Sequence, residues 1–427
     1  MTTSVPRAAA GTAYTSDVSR PPARPPRRGR TPRDLFLNLL DAHVADAAIR
    51  FVMGDEIVVT GNAACEDDDT VVLRVHRERF FARVLGEGNL GLGESVMDGD
   101  VTVERGEMWQ FLTALVRNRV DRKIRGDWRA VLAVLRVQAA NLLRRHQWRQ
   151  VQQHYDLGDD LFESFLDSTM TYSCGYARTP DDSLEEMQHQ KLDRICRKLD
   201  LRTGDRLLDI GCGFGGLLSH AAREYGAIGV GITTSRRHCE GGNARIARAG
   251  LADRVRLELR DHRTIETLGR FDKVVSVGML EHLPRVEYGR YFRAIAGALE
   301  SHGLGLVHVI GCTTTSNDHD PFIQKYIFPG SGQVRLSELA VQVERHGMAV
   351  RDVENMRPHY AYTAKHWLER FRANRHRLDV SRYDERFARM WEHYLHTSIA
   401  GGFASDGALF QVLFMKDYTQ SMPLVRV

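Results

Sequence analysis

The chain predicts an α/β fold around a mostly parallel sheet, with a small α+β domain ahead of it. Three observations carry that expectation. From about Leu201 onward, short apolar runs alternate with helical stretches in β-α-β order. The first of these runs, Leu207-Leu-Asp-Ile210, turns at once through Gly211, Gly213, Gly215 and Gly216 into a helical pattern. Before residue 115 the strand-like and helical pieces do not alternate, which sets that part apart from the sheet-building remainder.

Taken in order, residues 1–33 hold seven arginines against one aspartate and six of the twelve prolines, so they are expected to form a disordered tail. The formal net charge of the whole chain is +4; the tail contributes +6, and residues 34–427 carry −2. Residues 34–115 are expected to fold as the small domain. It would open with an amphipathic helix over Asp34 to Arg50, continue as strands at 56–60 and 71–75, and add a helix from Phe80 that runs into the Gly-rich loop around Gly88 to Glu94. Residues 116–150 read as a basic helical connector, with ten Lys or Arg against two Asp between 117 and 149. Such a segment suits an anionic membrane surface, and equally a solvated helix face beside a core stripe. Residues 151–427 form the α/β domain, with strands expected at 206–210, 227–232, 255–259, 272–277, 304–310 and 409–415. Helical insertions are expected at 320–345 and 363–400.

Bulk properties exclude several classes. With 43% hydrophobic and 27% charged residues the composition is that of a globular protein. No apolar run reaches the ~18 residues of a membrane span, and no signal-like core opens the chain, so a cytoplasmic location is expected. The six cysteines (Cys65, Cys174, Cys196, Cys212, Cys239, Cys312) form no Cys-x-x-Cys pair and no zinc-like spacing, so neither a disulfide framework nor a metal site is expected. The densest basic run contains only Trp128 and Trp148 as stacking platforms, which argues against nucleic acid as a partner.

A Gly-rich turn after a strand brings the backbone close to a ligand at a helix N-terminus, and many nucleotide-binding sheets share it. Here Asp209 precedes the first glycine by two residues, and Asp-x-Gly-x-Gly-x-Gly resembles the first motif of S-adenosylmethionine-dependent methyltransferases. Five further segments narrow the resemblance. His154-Tyr-Asp-Leu-Gly-Asp-Asp-Leu-Phe162, Thr171-Tyr-Ser-Cys-Gly-Tyr176, Ser276-Val-Gly-Met-Leu-Glu-His282, His308-Val-Ile-Gly311 and Gln324-Lys-Tyr-Ile-Phe-Pro-Gly330 are similar to segments of the cyclopropane-fatty-acyl-phospholipid synthase family. The run Gly88-Asn-Leu-Gly-Leu-Gly-Glu-Ser-Val-Met-Asp-Gly99 extends the likeness into the small domain, as in the phospholipid-acting branch.

The resemblance implies a Rossmann-like class I methyltransferase sheet and methyl transfer from S-adenosyl-L-methionine to a cis double bond in a phospholipid acyl chain. Bound bicarbonate would act as base. It implies Cys174, Glu281, His308, the Ile310 backbone and Tyr360 as bicarbonate ligands, with Tyr362 a rival for the last. On their own, Cys174 and His308 would read as core residues, whereas a carboxylate such as Glu281 just past a buried strand is expensive to bury without a task. For the cofactor it implies Tyr172, Ser173, Asp209, Gly211, Gly213 and Gly215, then Thr233, Thr234 and Ser235 after the second strand, and Asp261 for the adenine. Ser398 stands where the family often carries a cysteine, and Arg237 and His238 replace an acid and an amide. Some relatives with serine there make a methylene branch, so that product stays open beside the cyclopropane. A soluble acceptor, an RNA substrate and a non-catalytic lipid-binding role are the remaining alternatives. The resemblance also suggests a homodimer and peripheral action on anionic phospholipids at the inner face of the membrane.

Overall fold

The computed structural model describes residues 31–67, 69–126, 158–314 and 320–417, with Leu135 and Thr419 as isolated positions. Nearly all of the Arg-rich tail and most of the basic connector lie outside the described residues. The described residues contain two sheets.

The first has four strands, β1 (Ala48–Met53), β2 (Glu56–Gly61), β3 (Val71–Val75) and β4 (Val101–Arg105), in the order β2-β1-β3-β4. Helix α1 (Pro32–His43) starts behind Thr31, whose hydroxyl accepts the Asp34 amide, and carries Pro32 in its first turn. The sequence pattern extends this helix to Arg50, but it ends at His43. Val44 turns extended, and Ile49 to Val52 pair with both β2 and β3. Two-sided pairing outweighs the weak helical periodicity of Val44, Ala47 and Ala48. Helices α2 (Arg79–Glu87) and α3 (Asn89–Met97) follow β3, then α4 (Met108–Arg117) and α5 (Val120–Gly126) follow β4. The segment expected as a Gly-rich loop is therefore helix α3. A Cβ on Gly91 would lie 2.1 Å from the Arg83 carbonyl oxygen, and one on Gly93 2.3 Å from the Phe322 ring, so these glycines serve close packing between helices.

The second sheet has eight strands. They are β5 (Arg206–Ile210), β6 (Ile228–Thr233), β7 (Val255–Leu259), β8 (Phe271–Val277), β9 (Leu299–Cys312), β10 (Val334–Arg335), β11 (Ala349–Asn355) and β12 (Gly407–Met415). Their order is β11-β12-β9-β8-β5-β6-β7, with β10 beside the end of β9. Strands β9, β8, β5, β6 and β7 run parallel, while β12 is antiparallel to both β9 and β11. Helices α6 (Asp159–Phe165), α7 (Leu184–Lys198), α8 (Gly216–Tyr225), α9 (Arg236–Arg248) and α10 (Tyr288–Ala298) belong to this part. So do α11 (Pro321–Tyr326), α12 (Leu336–Arg345), α13 (Arg357–Asn374) and α14 (Glu385–Ala404). Alternate residues of β5 face opposite cores: Leu208 and Ile210 pack with Phe292, Ile295 and Leu339, and Leu207 with Leu192, Ile195 and Leu218.

The chain runs from β5 outward to β6 and β7, then returns to place β8 on the other side of β5. That reversal opens a crevice at the carboxyl ends of β5 and β8, where open α/β sheets hold their ligands.

Candidate active site

The glycine turn sits at this crevice. Gly211, Gly213 and Gly215 have φ of +85°, +52° and +79°, a backbone region costly for any residue with a Cβ. The Gly211 and Cys212 amides both donate to the Ile232 carbonyl, which pins the turn to β6. A Cβ on Gly211 would come within 3.0 Å of Met279, so the turn after β5 touches the loop after β8.

Asp209 is buried beneath the turn, and its Oδ1 has no hydrogen-bond partner among the described residues. Burial pushes its carboxyl up to about 7, against the pull of the Lys191 charge. Lys191, missed by the sequence reading, donates to Ser173 Oγ at 3.1 Å and is 1% exposed. Burial brings its ammonium down to about 8, with Asp167, Cys174 and Asp209 opposing the fall. Two glutamine bonds, from Gln188 Nε2 to the Ser173 and Thr171 carbonyls at 2.8 and 3.4 Å, hold the segment that carries Tyr172 and Ser173. A signal for both residues was present in the sequence. Gln188, Lys191 and Lys198 fall at 3- and 4-residue steps on the apolar stripe Leu184, Leu192 and Ile195, where a polar side chain needs a reason.

The remaining cofactor candidates have local tasks. Thr233 Oγ1 accepts the Ser235 amide, and Ser235 Oγ caps α9 through the His238 amide. Thr234 is exposed. Both carboxylate oxygens of Asp261 accept from Arg263, at 2.8 and 2.9 Å, and that contact leads in holding the carboxyl down at about 2.

The other half of the site gathers on β9. Cys174, Ile310 and Tyr360 share a small apolar cluster with Met356 and Leu409. Glu281 follows β8, and its Oε1 accepts the Ile310 amide at 3.4 Å. The Gly278 amide donates to the His308 carbonyl at 2.9 Å, locking the Glu281 loop onto β9. Glu281 and His308 are 5% and 2% exposed, yet Glu281 Oε2 and His308 Nε2 have no partner among the described residues. Burial pushes the Glu281 carboxyl up to about 7 and, with the charges of Lys191 and Lys198, drives the His308 imidazole well below its usual range. Burial also pushes the Cys174 thiol up to about 12, so it stays protonated, with Thr363 Oγ1 3.9 Å from its sulfur.

Hydroxyl groups join the two halves. Tyr172 and Tyr394 lie oxygen to oxygen at 2.8 Å, and the Tyr360 and Ser398 hydroxyls stand near that of Tyr394. Tyr362, the rival of Tyr360, packs edge-on against Phe403 instead. Around the hydroxyls stands an aromatic wall: Tyr172 meets Phe165, Trp367 and Phe328, and Tyr360 meets Trp367. Tyr394, also missed, was legible only as an apolar position of a long helix.

Residues 143–411 match the family model described as mycolic acid cyclopropane synthetase. The chain belongs to that family. It is an S-adenosylmethionine-dependent methyltransferase. It is 36% identical over 379 residues to the cyclopropane-fatty-acyl-phospholipid synthase of Escherichia coli (strain K12), covering 87% of this chain and 93% of that one. It is 34% identical to the tuberculostearic acid methyltransferase UfaA1 of Mycobacterium tuberculosis, over 77% and 79% of the two chains. Among solved structures, the mycolic acid cyclopropane synthase CmaA1 complexed with SAH and CTAB superposes with a TM-score of 0.57 at 28% identity, covering 62% of this chain and 97% of that one. The class I sheet expected from the sequence is thus the family's own. Among the described residues no helix is long and apolar enough to cross a membrane, and no three His, Cys, Asp or Glu are grouped to hold a metal ion.

Proposed function

We propose that this family member transfers the methyl carbon of S-adenosylmethionine to the cis double bond of an unsaturated phospholipid acyl chain and closes a cyclopropane ring, with bicarbonate as the base. One observation carries the reading: two buried polar atoms lack partners among the described residues, Glu281 Oε2, whose carboxyl also accepts the Ile310 amide, and His308 Nε2, two positions before Ile310 on β9. A buried carboxylate oxygen and a buried ring nitrogen are each costly to leave unpaired, and a small polar ligand could complete both. Bicarbonate offers a hydroxyl and oxygen acceptors together, and so fits the set Glu281, His308, the Ile310 backbone, Cys174 and Tyr360. When bound, S-adenosylmethionine would supply an electrophilic methyl group, and bicarbonate would supply a base for the one proton this carbon must lose for the ring to close.

The protein's own residues do the rest. Asp209 and the glycine turn orient the cofactor, and Tyr172 and Ser173 bound its sulfonium end. Glu281, held by the Ile310 amide, anchors the base beside the reacting carbon. The wall of Tyr172, Phe165, Trp367 and Phe328 excludes water, which would trap an electron-poor acyl carbon as an alcohol, and its ring faces favour positive charge. The four-stranded unit and the basic segment 116–150 are assigned to lipid handling at an anionic membrane surface on the cytoplasmic side.

A methylene-branched product is the second reading. It is favoured by Ser398 beside the Tyr360 and Tyr394 hydroxyls and by the likeness to UfaA1.

The test is turnover by purified protein on vesicles of a monounsaturated phospholipid, followed by mass spectrometry of the released fatty acids. A gain of one CH2 (about 14 Da) that resists double-bond derivatisation supports the cyclopropane. A derivatisable methylene supports the second reading. No gain in mass, with S-adenosylmethionine still bound, overturns both and points to a soluble acceptor.

A further inference from the structure

Gln411 is the single polar residue inside the apolar run Leu409 to Met415 of β12, and it is wholly buried. The β9/β12 register sets it directly opposite His308. Its Oε1 accepts from Lys198 Nζ at 2.8 Å, and its Nε2 lies 3.2 Å from His308 Nδ1. The same ammonium donates to Glu354 at 2.6 Å, and Arg194 clamps Glu354 with two bonds of 2.8 Å. A continuous chain therefore runs Arg194–Glu354–Lys198–Gln411–His308.

The donors in this chain leave one consistent arrangement. An ammonium group can only donate, so the oxygen of the Gln411 amide must face Lys198. The NH2 group then faces His308 and can be accepted only by an unprotonated Nδ1. The ring proton consequently sits on Nε2, the buried atom that has no protein partner. We propose that Gln411, fixed by Lys198, is a positioning residue that holds His308 as its neutral Nε2–H tautomer, so that His308 donates a hydrogen bond into the active site and does not take the reaction's proton. The structural part stands on the hydrogen bonds alone; its chemical consequence rests on the bicarbonate reading.

The first test needs no variant of Gln411. Protein labelled with 13C,15N-histidine is examined by long-range 15N–1H correlation, and His308 is assigned by the signal lost in His308→Asn. The expected pattern is Nε2–H, unchanged across neutral pH; an Nδ1–H or imidazolium pattern overturns the proposal. Gln411→Glu keeps the shape but turns an acceptor toward Nδ1. It should move the proton to Nδ1, lower turnover about 10- to 100-fold, and raise the bicarbonate concentration needed for half-maximal rate, with S-adenosylmethionine affinity unchanged. Retention of Nε2–H or of full turnover in that variant overturns the positioning role. Turnover by the unaltered enzyme that is indifferent to bicarbonate in decarbonated buffer would overturn the bicarbonate reading instead, leaving the tautomer measurement to decide this proposal alone.

Discussion

In the four-stranded unit the Asp100 side chain is fully buried and meets three guanidinium groups: Arg77 at 3.1 Å, Arg79 at 2.6 Å and Arg83 at 3.0 Å. Glu94 nearby is bonded by Arg83 at 3.0 Å and by Lys325 and Tyr326 at 2.7 and 3.0 Å. In the eight-stranded unit Glu281 and Asp209 are buried just as deeply, yet each keeps an oxygen without a partner and both carboxyls rise to about 7. The first arrangement spends arginines to satisfy its carboxylates and ties α3 to α11, and so serves structure. The second leaves buried polar atoms without a protein partner among the described residues, as the proposed ligand sites require. Burial of an acid by itself therefore says little here; the inventory of its partners separates scaffold from site.

The contrast breaks if the two kinds of acid respond alike to substitution. Glu281→Gln should lower turnover on the order of a thousandfold while the calorimetric affinity for S-adenosylmethionine stays within error, because the glycine turn is untouched. Equal loss of both would mean that Glu281 supports the cofactor. Asp100→Ala should leave three arginines around a buried gap and destabilise the protein by about 3 to 5 kcal/mol in urea unfolding, with turnover per folded molecule preserved.

The sharper comparison is in sign. Glu281 has its folded-state carboxyl raised from 4.5 to about 7, so its contribution to stability is present below about pH 4.5 and is lost as pH rises through 7. Ligand-free Glu281→Gln should therefore unfold later than the parent at pH 8, by on the order of 3 kcal/mol, and match it near pH 4. A variant that is less stable at pH 8 would show Glu281 to be structurally satisfied after all. The smallest effect concerns a candidate with a local task. Ser235→Ala removes the cap of α9 and should cost about 1 kcal/mol of stability, with little change in KM for S-adenosylmethionine. A large rise in KM there would show that Ser235 also serves the cofactor.

Local chemistry made part of this protein legible from its sequence. The run from Leu207 to Gly216 specified strand, turn and helix because apolar β-formers and positive-φ glycines have few other uses, and β5, β7 and β8 lie within one residue of their expected bounds. Caps at Thr31, Ser183 and Asp384 are local features too, but the sequence reading did not use them. What failed depended on tertiary pairing and packing. The stretch Ala48 to Met53 is a strand because β2 and β3 flank it, and Asn89 to Glu94 is helical with Phe322 and the Arg83 backbone packed against Gly93 and Gly91.

The site divides in the same way. The family resemblance carried by the motifs implied Glu281, His308, Cys174, Tyr360 and Asp209 as candidates, and of these only Glu281 and Asp209 drew attention by residue type and position. Only the fold could show which buried atoms lack a partner, that Asp261 is committed to Arg263, and that His308 faces Gln411 across two strands 103 positions apart. The physical reason is that a motif records which groups are present, whereas a hydrogen bond also needs direction and a donor for each acceptor. Those are fixed when β12 docks antiparallel on β9 and brings Lys198, Gln411 and His308 into one line.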